Sequence, residues 1–200
     1  MLEKNTDLRM GRLDPSSLKK HVKLWNVAPR WPGSAKAPCE PMELAELVRE
    51  MYVASGPDTH LVLWMPAERL HNTLFEPADM AGNWRCDGTV ISGSDPIHIG
   101  YAYSHTRSKV DWGSKLILDE RKKRGPSSTK AVKFILDKLT QPGDLVADAF
   151  AHASAVLPIW SRRSGLRYIG YTTSKAKHKT ICKALAQIEL PGIQMELPSK

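Results

Sequence analysis

From Ser127 to Ala186 the sequence repeats one pattern, an amphipathic helix followed by a turn and a short apolar run. Val132, Ile135, Leu136 and Leu139 recur at three- and four-residue spacing, so they share one face of a helix that Ser127 or Ser128 can cap. Gln141-Pro142-Gly143-Asp144 is a turn. Leu145–Ala149 then reads as a strand and Ser154–Ser164 as a helix, with Pro158 in its first turn or at a kink. Arg167–Tyr171 reads as a second strand and Ser174–Ala186 as another helix. Short apolar strands alternating with helices build a mainly parallel sheet buried on both faces. The chain is therefore expected to be α/β.

The earlier part of the chain extends this pattern. Residues 1–20 read as a loose polar leader. Val22–Val27 is a candidate strand, and Ala28–Pro41, with four prolines, a loop. Met42–Ala54 carries Leu44, Leu47, Val48 and Met51 on one helical face, and His60–Met65 (HLVLWM) is a continuous apolar run suited to a buried strand. Arg85–Ile91 and Ile97–Tyr103 are expected to pair as a hairpin across Gly93–Pro96. Leu116–Leu118 and Gly192–Leu197 are further short strand candidates. With 200 residues, the expectation is one domain over 21–200, in two halves at 22–120 and 121–200.

Charge is distributed unevenly. Residues 121–183 hold 14 Lys and Arg against three acids, a net +11, while the remainder carries 15 basic and 18 acidic residues. A polyanion such as nucleic acid is the natural partner for the basic third. Arg121, Lys122, Lys123, Arg124, Lys130 and Lys133 are the candidate phosphate contacts, extended by Lys175, Lys177, Lys179 and Lys183 along the last helix. The alternative is a solvated helix face. No apolar run approaches a membrane span, and the N-terminus lacks a signal-peptide core, so no membrane is expected and the location is expected to be cytoplasmic. Cys39, Cys86 and Cys182 show no metal spacing, nor do the histidines, and no metal is expected.

The segments SSTKAVKFILDKLT, QPGDLVADAFAHASAV, LRYIGY and TTSKAKHKTICKAL resemble, in order and spacing, the cofactor half of the DNA methyltransferases that modify exocyclic amines of adenine or cytosine. VKLWNV, then Ala28-Pro29-Arg30-Trp31, the Met42 helix and HLVLWM resemble the catalytic half of members that place the catalytic motif first. The resemblance implies a Rossmann-like S-adenosylmethionine-dependent methyltransferase fold with helices on both faces of the sheet.

It also locates three departures. The family's Gly-Ser-Gly, which lets the backbone approach the cofactor, falls on His152-Ala153-Ser154, and the proline after Asp148 is Ala149, while Asp148 and Phe150 remain. His152 is read as a plug or a surface group, and Asp148 as either a polar site residue or a turn cap. The family's ribose-binding acid falls on Thr172, which cannot supply a charge-assisted pair. In the catalytic motif the amine acceptor is Ala28 and the second proline is Arg30; Pro29 and Trp31 remain, with Asn26 two residues early. Trp31 could stack a base or meet a partner.

Three functions follow as expectations. The first is a non-catalytic nucleic-acid-binding or regulatory protein, DNA before RNA, without cofactor. The second is an active, divergent S-adenosylmethionine-dependent DNA methyltransferase. The third is an interaction module that docks a protein partner or a second copy. About 55 residues near 70–125 remain for any target-reading insert, which is short for an enzyme that reads DNA sequence.

Overall fold

The computed structural model describes residues 6–18, 21–29, 41–67, 82–93, 97–106, 113–117, 128–151 and 155–187. The Arg121–Arg124 run, Arg30, Trp31, His152, Ser154, Cys39 and the candidate strand at Gly192–Leu197 lie outside the described residues.

Among the described residues eight strands form one sheet: β1 (Thr6–Met10), β2 (Val22–Val27), β3 (His60–Pro66), β4 (Arg85–Ser92), β5 (His98–Ser104), β6 (Gly113–Ile117), β7 (Leu145–Asp148) and β8 (Arg167–Thr172). Their order is β1-β8-β7-β2-β3-β5-β4-β6. Only β5 runs against its neighbours, pairing antiparallel with β3 and β4; every other pairing is parallel. The expected β4–β5 pairing is present. The short strand expected near Leu116 begins earlier, at Gly113, and lies parallel to β4 at the sheet edge.

Among the described residues four α-helices cover the sheet: α1 (Pro41–Ala54), α2 (Thr129–Leu139), α3 (Val156–Arg163) and α4 (Lys175–Ala186). Their starts have local causes. The Ser128 hydroxyl accepts from the Ala131 N–H, and that of Ser174 accepts from the Lys177 N–H, so both helices begin on a side-chain cap. Gly143, with φ of 92°, makes the turn into β7, a conformation that L side chains rarely adopt.

Alternate side chains of each strand point to opposite faces and create two cores. On one face Trp25, Val27, Leu61, Leu63, Met65, Ala147 and Ile169 pack against Leu44, Val48 and Met51 of α1. On the other, Leu24, Val62, Trp64, Val146 and Tyr168 pack against Val132, Ile135 and Leu136 of α2 and Leu157 of α3. Ile181 and Leu185 of α4 continue that second layer with Ala151, against Leu8 of β1.

Part of the expected leader belongs to the sheet. Thr6–Met10 is a parallel edge strand on β8, with Thr6 opposite Tyr168 and Met10 opposite Thr172. Its sequence hides this because an edge strand needs little apolar content, and here Leu8 alone packs into the core clusters.

Candidate functional site

The chain leaves β2 through α1 to reach β3 on one side, and leaves β7 through α3 to reach β8 on the other. The order therefore reverses between β2 and β7, and open α/β sheets place ligands beyond the carboxyl ends of strands at such a point. Those ends carry Ala28 and Pro29 after β2, Asp148–Ala151 at β7, and Thr172 at the end of β8.

A buried polar chain crosses four strands just beneath these ends. The Trp64 indole N–H donates to Asn26 Oδ1 at 2.9 Å, and Asn26 Nδ2 donates to Asp148 Oδ1 at 3.1 Å. The Tyr168 hydroxyl donates to Asp148 Oδ2 at 3.1 Å, and the Phe150 N–H adds a 3.2 Å bond to Oδ1. All four chain members are buried. Burial pushes the Asp148 carboxyl up to about 6, and the hydrogen bonds from Asn26, Phe150 and Tyr168 hold it from rising further. Burial, with Asp148 beside it, pushes the Tyr168 phenol well above its ordinary range.

Two glycines make room for the aromatic members. A Cβ on Gly100 would stand 2.9 Å from Cζ3 of Trp64, and one on Gly170 would stand 2.8 Å from Cε1 of Tyr168. Each ring lies where any larger residue would collide, so the two glycines fix the reach of both donors.

Asp148 thus does more than cap a turn. It accepts the Phe150 N–H as a turn residue does, and it is also the charged centre of a packed network. Asn26, Trp64 and Tyr168 were not expected as its partners. The available signal was an asparagine inside the apolar strand VKLWNV and a tyrosine two residues before a glycine in RYIGY.

The remaining expected site residues are placed as follows. Ala28 is buried, and Pro29 behind it. The Ala149 N–H donates to the Asn26 carbonyl at 3.0 Å, and that of Ala151 to the Tyr171 carbonyl at 2.8 Å, which ties the three strand ends together. Thr172 is buried; its hydroxyl accepts the Ser174 N–H at 3.2 Å, and its carbonyl accepts the Gly11 N–H at 3.0 Å. Phe150 packs against the core on the α1 side.

Those expected phosphate-contacting lysines that are described lie on the helices of the layer opposite α1. Lys130 and Lys133 are exposed on α2, where Lys133 pairs with Asp137 one turn on. Lys175, Lys177, Lys179 and Lys183 are exposed on α4. Between them α3 contributes Arg162, whose guanidinium donates to the Leu185 carbonyl at 3.0 Å, and Arg163, stacked 5.5 Å from the Trp160 ring centre. Both arginines belong to the basic third, but no spacing in the sequence marks them out from it. Together α2, α3 and α4 hold nine Lys and Arg against one acid, Asp137, whereas α1 holds Glu43, Glu46 and Glu50 against Arg49. Among the described residues no group of three His, Cys, Asp or Glu is placed to hold a metal, and no helix is long and apolar enough to cross a membrane.

No protein-family model and no curated protein matches the chain. Solved structures do. The cytosine-N4-specific PvuII DNA methyltransferase superposes with a TM-score of 0.68 at 12% identity, over 92% of this chain and 87% of that one. M1.HpyAVI in complex with SAM gives 0.61 at 13%, over 89% and 98%. TTHA0409 of Thermus thermophilus, complexed with S-adenosyl-L-methionine, gives 0.66 at 17%, over 94% and 95%. Each of these chains is spanned almost whole, so the short middle segment does not by itself set this protein apart from them. Identities this low speak for architecture, and the likeness read from Ser127–Ala186 holds at that level: the chain has the fold of a DNA methyltransferase.

Proposed function

We propose that this chain is a methyltransferase-fold protein that binds nucleic acid through its basic helical layer and transfers no methyl group. The observation that carries the reading is the commitment of Asp148. It is the one carboxylate on β7 and β8, and both its oxygens are engaged inside the sheet by Asn26, Tyr168 and the Phe150 N–H. At the end of β8 the Thr172 hydroxyl is turned into the start of α4. A ribose placed there meets no free acid on either strand, and a target amine meets Ala28 in place of a side-chain acceptor. The described residues therefore do not fit S-adenosylmethionine.

The same fold supplies a large basic surface. Phosphate contacts release counterions, so binding through it is salt-dependent and largely indifferent to sequence. Lys175, Lys179 and Lys183 follow one stripe of α4 at four-residue spacing. Changing all three to Gln should weaken binding of a DNA duplex about tenfold and flatten the salt dependence by roughly 0.9 in log–log slope for each phosphate no longer neutralised. Fluorescence anisotropy across a salt series reads both, and unchanged affinity refutes the surface.

An active enzyme is the second reading, favoured by the likeness to M1.HpyAVI and TTHA0409, both solved in complex with S-adenosylmethionine. Calorimetry with S-adenosylmethionine decides between them. The proposal expects no binding in the micromolar range; a micromolar complex overturns it.

A further inference from the structure

Cys182 lies on the outer side of α4 and is exposed. Its sulfur stands 3.7 Å from Nδ1 of His178, one helical turn earlier. The other ring nitrogen, Nε2, lies 3.0 Å from the carbonyl oxygen of Leu8. A carbonyl only accepts, so Nε2 carries the ring proton and Nδ1 turns a lone pair to the thiol. Leu8 belongs to β1, the edge of the sheet, so a strand edge orients the imidazole from the far side. Nucleophile, base and orienting group stand in the order that nucleophilic sites require.

The surroundings add charge. Lys179 and Lys175 precede Cys182 by three and seven residues, on the adjacent turns of the same side, and Lys183 follows it; all three are exposed. Cys86 provides the contrast. It is exposed as well, but its sulfur faces the Gly88 carbonyl at 4.0 Å beside Asp87, and partial desolvation pushes that thiol up.

We propose that Cys182, with His178 as its base, is a site of mixed-disulfide formation with anionic low-molecular-weight disulfides of the glutathione type. The sulfur attacks one sulfur of the incoming disulfide and its proton passes to Nδ1. The S–S bond breaks, and the departing thiolate takes the proton from the imidazole. One new disulfide forms on Cys182 and one thiol leaves; the incoming disulfide is the only oxidant. The lysines attract the anionic reagent. The product places negative charge amid the cations of α4, so its effect on nucleic acid rests on the function proposed above.

The test treats the full chain with oxidised glutathione and follows each cysteine by peptide mass spectrometry. Cys182 should be modified at least about tenfold faster than Cys86. His178→Gln should slow Cys182 severalfold and leave Cys86 unchanged. Changing Lys179 and Lys183 to Gln should slow the reaction with glutathione disulfide but not with neutral hydroxyethyl disulfide. Equal rates at Cys182 and Cys86, or an unaltered rate in folded His178→Gln, overturn the site. If His178→Gln loses its fold, the two rates in the unsubstituted chain still decide. Duplex binding is read separately on the modified chain. Full modification of Cys182 with unchanged DNA affinity leaves the thiol site standing and refutes the role of α4 in nucleic-acid binding.

Discussion

The two faces of the sheet are built on different principles. Beneath α1 the core is almost wholly apolar, from Trp25 to Ile169, and the helix outside is acidic. Beneath α2 and α3 the core contains Trp64, Asn26, Asp148 and Tyr168 in one hydrogen-bonded chain, and the helices outside are basic. The first face asks for few polar partners, the Ser55 hydroxyl for the Trp25 indole N–H and the Val48 carbonyl for that of Trp84. The second holds a charge that burial disfavours and that only a complete set of donors makes tolerable. The network lies just beneath the strand ends at which open α/β sheets place their ligands.

The largest test of that contrast removes the centre of the chain. Asp148→Ala leaves the Asn26 amide and the Tyr168 hydroxyl buried without an acceptor, and should cost about 3 kcal/mol by urea denaturation. The loss reports polar satisfaction, since little volume is removed. A cost under about 1 kcal/mol would mean that water or a rearranged partner already serves these groups, and the two faces would not differ as argued.

An effect no larger comes from the proton on Asp148. Its carboxyl titrates at about 6 in the folded chain, above the roughly 3.9 of an unfolded aspartate. The folded state holds the proton more tightly, so this contribution is fully present below about pH 4 and is lost as pH rises through 6. Its size is roughly 3 kcal/mol, on top of the opposite trends of surface carboxylates. Asp148→Asn keeps the shape and abolishes this titration. The stability difference between the two proteins should therefore change between about pH 4 and pH 7.5; a constant difference would mean that Asp148 does not hold its proton more tightly in the folded state.

Much of this architecture is legible in the sequence. The α/β alternation from Ser127 to Ala186, the α1 helix, the buried β3 run and the β4–β5 pairing follow from periodicity and turn chemistry, because each element buries a continuous apolar face. Two features escape it for physical reasons. β1 has few apolar residues, being an edge strand fixed by its register on β8. The polar chain joins residues 26, 64, 148 and 168, and only sheet order makes them neighbours. Spacing along the sequence therefore marks where Asp148 stands and is silent on what it touches.

The smallest effect concerns the acidic side. Glu46 and Glu50 are exposed on α1, with the sheet and the second helical layer between them and the lysines of α4. Two layer spacings amount to roughly 20 Å, about two Debye lengths at physiological salt, so their field at α4 is largely screened. Changing both to Gln should leave stability within about 0.5 kcal/mol and duplex affinity within about twofold, against the tenfold expected on α4. If removing these two acids instead strengthens binding as much as losing lysines weakens it, then net charge governs the association and the location of the basic layer does not. Repeating the measurement at low salt, where screening extends over roughly 30 Å, sharpens the distinction: the glutamates should begin to matter there while the lysines still dominate.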